Sequence, residues 1–225
     1  MEKKALWDKD GSLLEEAYYK EGSLEGRSFI HKQDGTEVVQ YYQNNTPSGL
    51  YQVFFPYSNT HEKVKSVEGM YVDGLLEGEY IEYNVIGIKI ANTSYRHGLK
   101  EGITTIYYPD GRLHILAEFH HDNQNGMTYE YAPNGLVKKQ VLFIDDLKEG
   151  DEKNFHSDGQ IAMLSQYSKG ELNGTVKQWN DQGILIFEGE YQNGKRHGKF
   201  NKYNDDGQSK VSQTYVNDKL IEKKL

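Results

Sequence analysis

The sequence predicts an all-β protein: tandem β-hairpin repeats laid side by side as an elongated, twisted or curved antiparallel sheet. Three observations carry this expectation. Glycines recur every 24 residues, two further columns of turn-forming residues keep the same period, and so do the aromatic side chains.

The first column is Gly78, Gly102, Gly126, Gly150, Gly174 and Gly198, with Glu222 in phase at the end. Gly26 and Gly49 extend it backwards if one unit is a residue short and the next carries five extra, placed in an inserted loop near 56–65. Fifteen residues before it runs a second column: Gly11, Gly87, Gly111, Gly135, Gly159, Gly183 and Gly207, with Gly35 displaced by one. Four residues before the first column stands a third, Gly22, Asn45, Gly74, Gly98, Asp122, Asp146, Gly170, Gly194 and Asp218. Gly, Asn and Asp are the residues that enter the left-handed region at least cost, so each unit encodes two chain reversals and two strands. The chain is then one repeat domain, 1–225, with units 3–26, 27–49, 50–78, 79–102, 103–126, 127–150, 151–174, 175–198 and 199–222.

Between the second and third columns lies a strand with period-two alternation. Leu113, Ile115, Ala117 and Phe119 share one parity, as do Leu185, Phe187, Gly189 and Tyr191, so one face of this strand is buried. The other strand of each unit reads as shorter and more mixed. Seven residues before the first glycine column stand Tyr19, Tyr42, Tyr71, Tyr95, Phe119, Phe143, Tyr167, Tyr191 and Tyr215. A second aromatic column runs Trp7, His31, Phe54, Tyr83, Tyr107, Tyr131, Phe155, Trp179 and Tyr203. One repeat cannot bury its apolar face alone, so both columns read first as core, stacked from unit to unit.

Composition removes several function classes. The net charge of −8 disfavours a nucleic-acid partner, which calls for a basic stripe, and disfavours an anionic membrane surface. With no cysteine there is neither a disulfide framework nor a thiolate metal site. No apolar leader and no stretch of about 20 apolar residues is visible, so a soluble cytoplasmic protein is expected. No nucleophile elbow, phosphate-binding loop or dinucleotide fingerprint occurs, which points away from an enzyme and from any cofactor.

The segment Phe187-Glu-Gly-Glu-Tyr-Gln-Asn-Gly-Lys-Arg-His-Gly198 resembles the MORN repeat. Looser copies are Met70-Tyr-Val-Asp-Gly-Leu-Leu-Glu-Gly78 and Tyr167-Ser-Lys-Gly-Glu-Leu-Asn-Gly174. The 24-residue form resembles bacterial MORN-repeat variant proteins, a group labelled YwqK-family antitoxin, and the likeness extends over essentially the whole chain. It implies the hairpin sheet. It also implies a protein-binding module, either an antitoxin or immunity protein that neutralises a cognate toxin, or a MORN scaffold or membrane-associated tether with no toxin partner.

Rings outside the two columns are the candidates for contact with a partner: Phe29, Phe55, Tyr57 and Tyr108, in or beside first strands or the inserted loop. Asp145, Asp146, Glu149, Asp151 and Glu152 gather at one junction, read as a solvated edge on which a basic toxin could land. His120 and His121 are adjacent, so in a strand they face opposite ways and do not share a metal; no metal site is expected. His197 matches the turn histidine of the repeat and reads as structural.

Overall fold

The computed structural model describes residues 1–56 and 63–224, and every regular element among them is a β-strand. Two compact units divide the chain, Met1–Arg112 and Leu113–Leu225. The first contains β1 (Glu2–Trp7), β2 (Leu13–Lys20), β3 (Ser23–His31), β4 (Glu37–Gln43), β5 (Thr46–Phe54), β6 (Lys65–Val72), β7 (Leu75–Leu76), β8 (Gly78–Tyr83), β9 (Lys89–Arg96) and β10 (Leu99–Tyr107). The second contains β11 (Leu113–His120), β12 (Asn123–Gln124), β13 (Gly126–Tyr131), β14 (Val137–Ile144), β15 (Leu147–Phe155), β16 (Ile161–Ser168), β17 (Glu171–Trp179), β18 (Leu185–Gln192), β19 (Lys195–Tyr203), β20 (Ser209–Val216) and β21 (Lys219–Lys224). Within each unit every described pairing is antiparallel and joins strands adjacent in the chain, save that β7 and β8 both pair β6, and β12 and β13 both pair β11. The predicted fold class is therefore the observed one.

Two kinds of reversal alternate. At the third column the loop is two residues long with both at positive φ, as at Asn44 (49°) and Asn45 (65°) or Asp145 (48°) and Asp146 (65°). That is the type I′ geometry whose twist matches flanking strands. At the second column a wider turn closes through a glycine: Gly135, at φ 82°, donates its N–H to the Ala132 carbonyl at 2.8 Å. The strand leading into the turn slips register against its partner just before it, between Glu130 and Tyr131.

The first glycine column is not a boundary. These glycines lie inside or at the start of strands, at bulges. In β16 and β17, Ser165 pairs Val176 and Tyr167 pairs Leu172, so Gln166 alone faces the segment around Gly174. Gly174 sits at φ 121°, and Gln166 Oε1 accepts the Thr175 N–H at 2.8 Å. A Cβ on Gly174 would lie 2.5 Å from that oxygen, and φ 121° is itself a conformation that side chains rarely adopt, so the position is glycine. Because the strand runs through the bulge, β3, β5, β10, β15, β17 and β19 are nine residues long against eight for β2, β9 and β18. The expectation of a shorter first strand is corrected: it took the bulge glycine for an end.

The core is mainly one row of side chains on one face, joined in the first unit by a second on the opposite face. In that second row Glu16 pairs Phe29, Phe29 pairs Val39 and all three are buried; as a ring for contact with a partner Phe29 is therefore corrected. Along the main row, in the first unit Ala17 pairs Ser28, Ser28 pairs Gln40, Gln40 pairs Tyr51 and Tyr51 pairs Gly69, and further along Tyr80 pairs Thr93 and Thr93 pairs Thr104. In the second, Ser165 pairs Val176, Val176 pairs Gly189 and Gly189 pairs Phe200. Ala17, Ala117, Val141, Ser165, Val176 and Phe200 are all buried in this row. The first aromatic column stands two residues along each strand, so it shares this face and flanks the row. Most of its rings stay half-exposed; Tyr215 alone is buried.

The second aromatic column points the other way. Tyr203 Oη donates to Glu188 at 2.7 Å, and Glu188 alternates with buried Gly189. Tyr131 meets Tyr129, two residues back, at 6.3 Å between ring centroids, and Tyr129 alternates with Thr128, which pairs buried Val141. The two columns therefore do not form one core. Alternation within the strand separates them: Tyr203 stands three residues from Phe200 and Tyr131 three from Thr128, an odd spacing that sets each ring opposite the buried row.

Candidate functional site

The type I′ edge is fastened by backbone and side chain together. Gly170 donates its N–H to the Lys148 carbonyl at 2.9 Å, and Gly194 does the same to Leu172 at 2.9 Å. Where the second turn residue is Asp or Asn, the side chain returns the bond: Asp146 Oδ1 accepts the Gln124 N–H at 2.7 Å, and Asn45 Oδ1 accepts the Leu24 N–H at 2.7 Å. A glutamate just before the bulge glycine caps the first turn residue of the next hairpin. Glu25 accepts from Asn44 N–H at 2.9 Å, Glu77 from His97 at 2.8 Å and Glu149 from Lys169 at 2.8 Å.

These bonds divide the acidic junction. Asp145 and Asp146 are exposed in the turn, the first receiving Asn125 Nδ2 at 3.0 Å. Glu149 is committed to the Lys169 N–H and to Ser168 Oγ. Asp151 is exposed and receives Gln166 Nε2 at 3.3 Å. Glu152, the next residue, points to the opposite face. It pairs Ser165 in the buried row, is 7% exposed, and lies against Lys148 and, at 3.4 Å, Lys139. Burial pushes its carboxyl up, but the Lys148 hydrogen bond and the two ammonium charges outweigh that and hold it below the ordinary carboxylate range. For Glu152 the reading as part of a solvated edge is corrected: its parity in β15 sets it inward.

Of the candidate rings, Phe55 is half-buried at the neck of the inserted loop, its N–H bonded to the Val64 carbonyl at 2.9 Å. Tyr57 lies outside the described residues. Tyr108 is half-buried and opens a turn, donating its N–H to the Arg112 carbonyl at 2.8 Å. Phe55 lies in the first unit and the acidic junction in the second.

Sequence reasoning missed two ring clusters built on strand glycines. Tyr80 covers Gly69, where an added Cβ would be 2.9 Å from the ring, and it packs against Tyr95 at 6.0 Å, while Tyr51 meets Tyr71 at 5.7 Å. Burial, with neighbouring Tyr51 and Glu82, pushes the Tyr80 hydroxyl up to about 12. Phe200 covers Gly189 in the same way and packs against Tyr191 at 5.2 Å and Tyr215 at 5.1 Å, with Arg196 stacked on Tyr215 at 4.1 Å. Together with Lys202 and Gln213 they line a cleft of about 310 Å³. The signal was the third residue type in the pattern: in the column two before the rings only positions 69 and 189 are glycine, and these are the two over which a neighbouring ring lies.

The histidine pair also departs from expectation. His120 ends β11, but His121 is the first turn residue at φ 49°, so the strict alternation stops between them. Their rings meet, centroids 4.1 Å apart, with His121 Nδ1 2.9 Å from His120 Nε2. His197 Nδ1 is buried without a hydrogen-bond partner beside the bulge at Gly198.

Comparison with known proteins gives a family match for part of the chain. Residues 148–169 and 172–193 match the MORN repeat variant, each match running from β15 or β17 through the wide turn to the type I′ turn. Their starts are 24 residues apart, the period of the glycine columns. No curated protein matches the chain.

Proposed function

We propose that this chain of MORN-type repeats is a protein-binding module that acts as an antitoxin or immunity protein, covering a cognate toxin. The observation that carries it is the row of half-exposed rings along one face of each unit, bordered at the turn edge by exposed carboxylates at Asp145 and Asp146 in the second. Among the described residues no second layer of structure covers those rings, and a partly exposed ring on a rigid sheet makes a good anchor because little side-chain entropy is lost on binding. Phe55 and Tyr108 are further contacts, and Tyr57 belongs with them by sequence.

A scaffold or membrane tether without a toxin partner is the second reading. The splitting of the acidic junction favours it, since two of the five carboxylates that would receive a basic toxin are engaged within the sheet. Co-expression with the product of the adjacent gene separates the two. Rescue of growth together with co-purification supports the antitoxin. A neighbour that is harmless, or toxic and unaffected, overturns it, and binding to liposomes at physiological salt then establishes the tether.

A further inference from the structure

We propose that His120 and His121 form a binding site for a tetragonal divalent metal ion, copper(II) or nickel(II), at the tip of the hairpin that follows β11. This site is independent of the protein-binding reading. The geometry is set by the turn. Were both residues in a regular strand, their rings would stand on opposite faces. His121 instead occupies the left-handed first position of the type I′ loop, at φ 49°, followed by Asp122 at φ 69°. The backbone rotation brings its ring beside that of His120, with centroids 4.1 Å apart, and both residues are exposed.

The separation of the nitrogens selects the metal. His121 Nδ1 and His120 Nε2 are 2.9 Å apart. Two imidazole nitrogens about 2.05 Å from one ion and at right angles to each other are roughly 2.9 Å apart; at the tetrahedral angle the distance grows to roughly 3.4 Å. The pair is thus spaced as neighbouring ligands of a square-planar or octahedral ion. Imidazole nitrogen suits copper and nickel, and copper(II) heads the affinity order for such donors. When the ion enters, the proton between the two nitrogens moves to the far nitrogen of its own ring, which leaves both near nitrogens as ligands.

Copper(II) alone, titrated in a non-chelating buffer, tests the site by calorimetry and electron paramagnetic resonance. One equivalent per chain is expected, with hyperfine coupling from two imidazole nitrogens. His120→Gln should weaken binding at least about tenfold. His121→Asn, which keeps a residue suited to the left-handed turn, should do the same while circular dichroism and thermal melting stay unchanged. If the double variant binds copper as tightly as the parent, or if the spectrum shows one nitrogen or none from these residues, the assignment is wrong. Zinc binding tighter than nickel at this site would overturn the tetragonal selection.

Discussion

Gly189→Ser should destabilise the second unit, and Phe200→Val in the same chain should undo part of the damage. The reasoning begins with the space above Gly189. A Cβ there would lie 2.5 Å from Phe200 Cε1 and 2.6 Å from Cδ1, so the ring must leave its place. That ring is 6% exposed and holds Tyr191 and Tyr215 at 5.2 and 5.1 Å, so its displacement disturbs the whole cluster. Overpacking of this kind costs about 1–3 kcal/mol, offset by roughly 0.5–1 kcal/mol because a strand glycine is replaced. The net expectation for Gly189→Ser is a loss of about 1–2 kcal/mol. Phe200→Val alone opens a cavity over the glycine and should cost about 2–4 kcal/mol. The double variant recreates the Ser165–Val176 pair, which occupies the same position one period earlier and is fully accommodated. Its cost should therefore fall short of the sum of the single costs by at least about 1 kcal/mol, measured as a double-mutant cycle in urea. A neutral or stabilising Gly189→Ser, or strictly additive losses, would refute the claim that the ring occupies the glycine's space.

Other outcomes follow from the same geometry. Glu16, Glu68, Glu152 and Glu188 are all held below the ordinary carboxylate pKa of 4.5, so the stability they contribute is complete above that pH and is lost as pH falls through their folded values. Urea midpoints should drop below pH 4.5, and Glu152→Gln should shallow that acid limb; an unchanged limb would remove Glu152 from the account. Glu149→Ala should cost about 1 kcal/mol through the Lys169 N–H it leaves uncapped, and hydrogen exchange at that amide should rise, whereas a silent change in both would mean the cap is idle. Lys169 stands at φ 50°, where Asn193 stands one period later, so Lys169→Asn should raise the thermal midpoint, and a lower midpoint would refute the type I′ assignment.

Turn chemistry made the hairpins legible from sequence. Gly135 and the Asp145-Asp146 loop sit at the positive φ that their residue types announce. The period-two pattern of Leu113 to Phe119 likewise put Ala117 in the core. What sequence concealed was the bulge. At Gly174 and its equivalents a glycine serves a side chain eight residues earlier, Gln166, and that relation crosses strands. Parity counted along each strand sets the second aromatic column opposite the first and Glu152 inward with Ser165, an alternation passed over when both columns are read as one core and the acidic run as one edge. Among the site candidates the exposed Asp145, Asp146 and Asp151 were readable from polarity alone. The commitment of Glu149 was not, because its partner is a backbone N–H twenty residues away.

The two hairpin edges have different tolerance for inserted chain. At the type I′ edge turns are tied to the hairpin before them, through bonds such as Gly194 N–H to Leu172 and Arg196 N–H to Asp218 Oδ1, so a longer loop there would cut the ties between neighbours. At the wide-turn edge the loop closes mainly on itself, and it is here that the chain carries its extra residues, between Phe55 and Val64, whose N–H and carbonyl still pair at 2.9 Å. A lineage of such proteins can therefore diversify by lengthening loops along one margin while the other holds the register. Foreign peptides spliced at the wide turns, for instance between Asp158 and Gly159, should be displayed at one margin without disturbing the strands beneath.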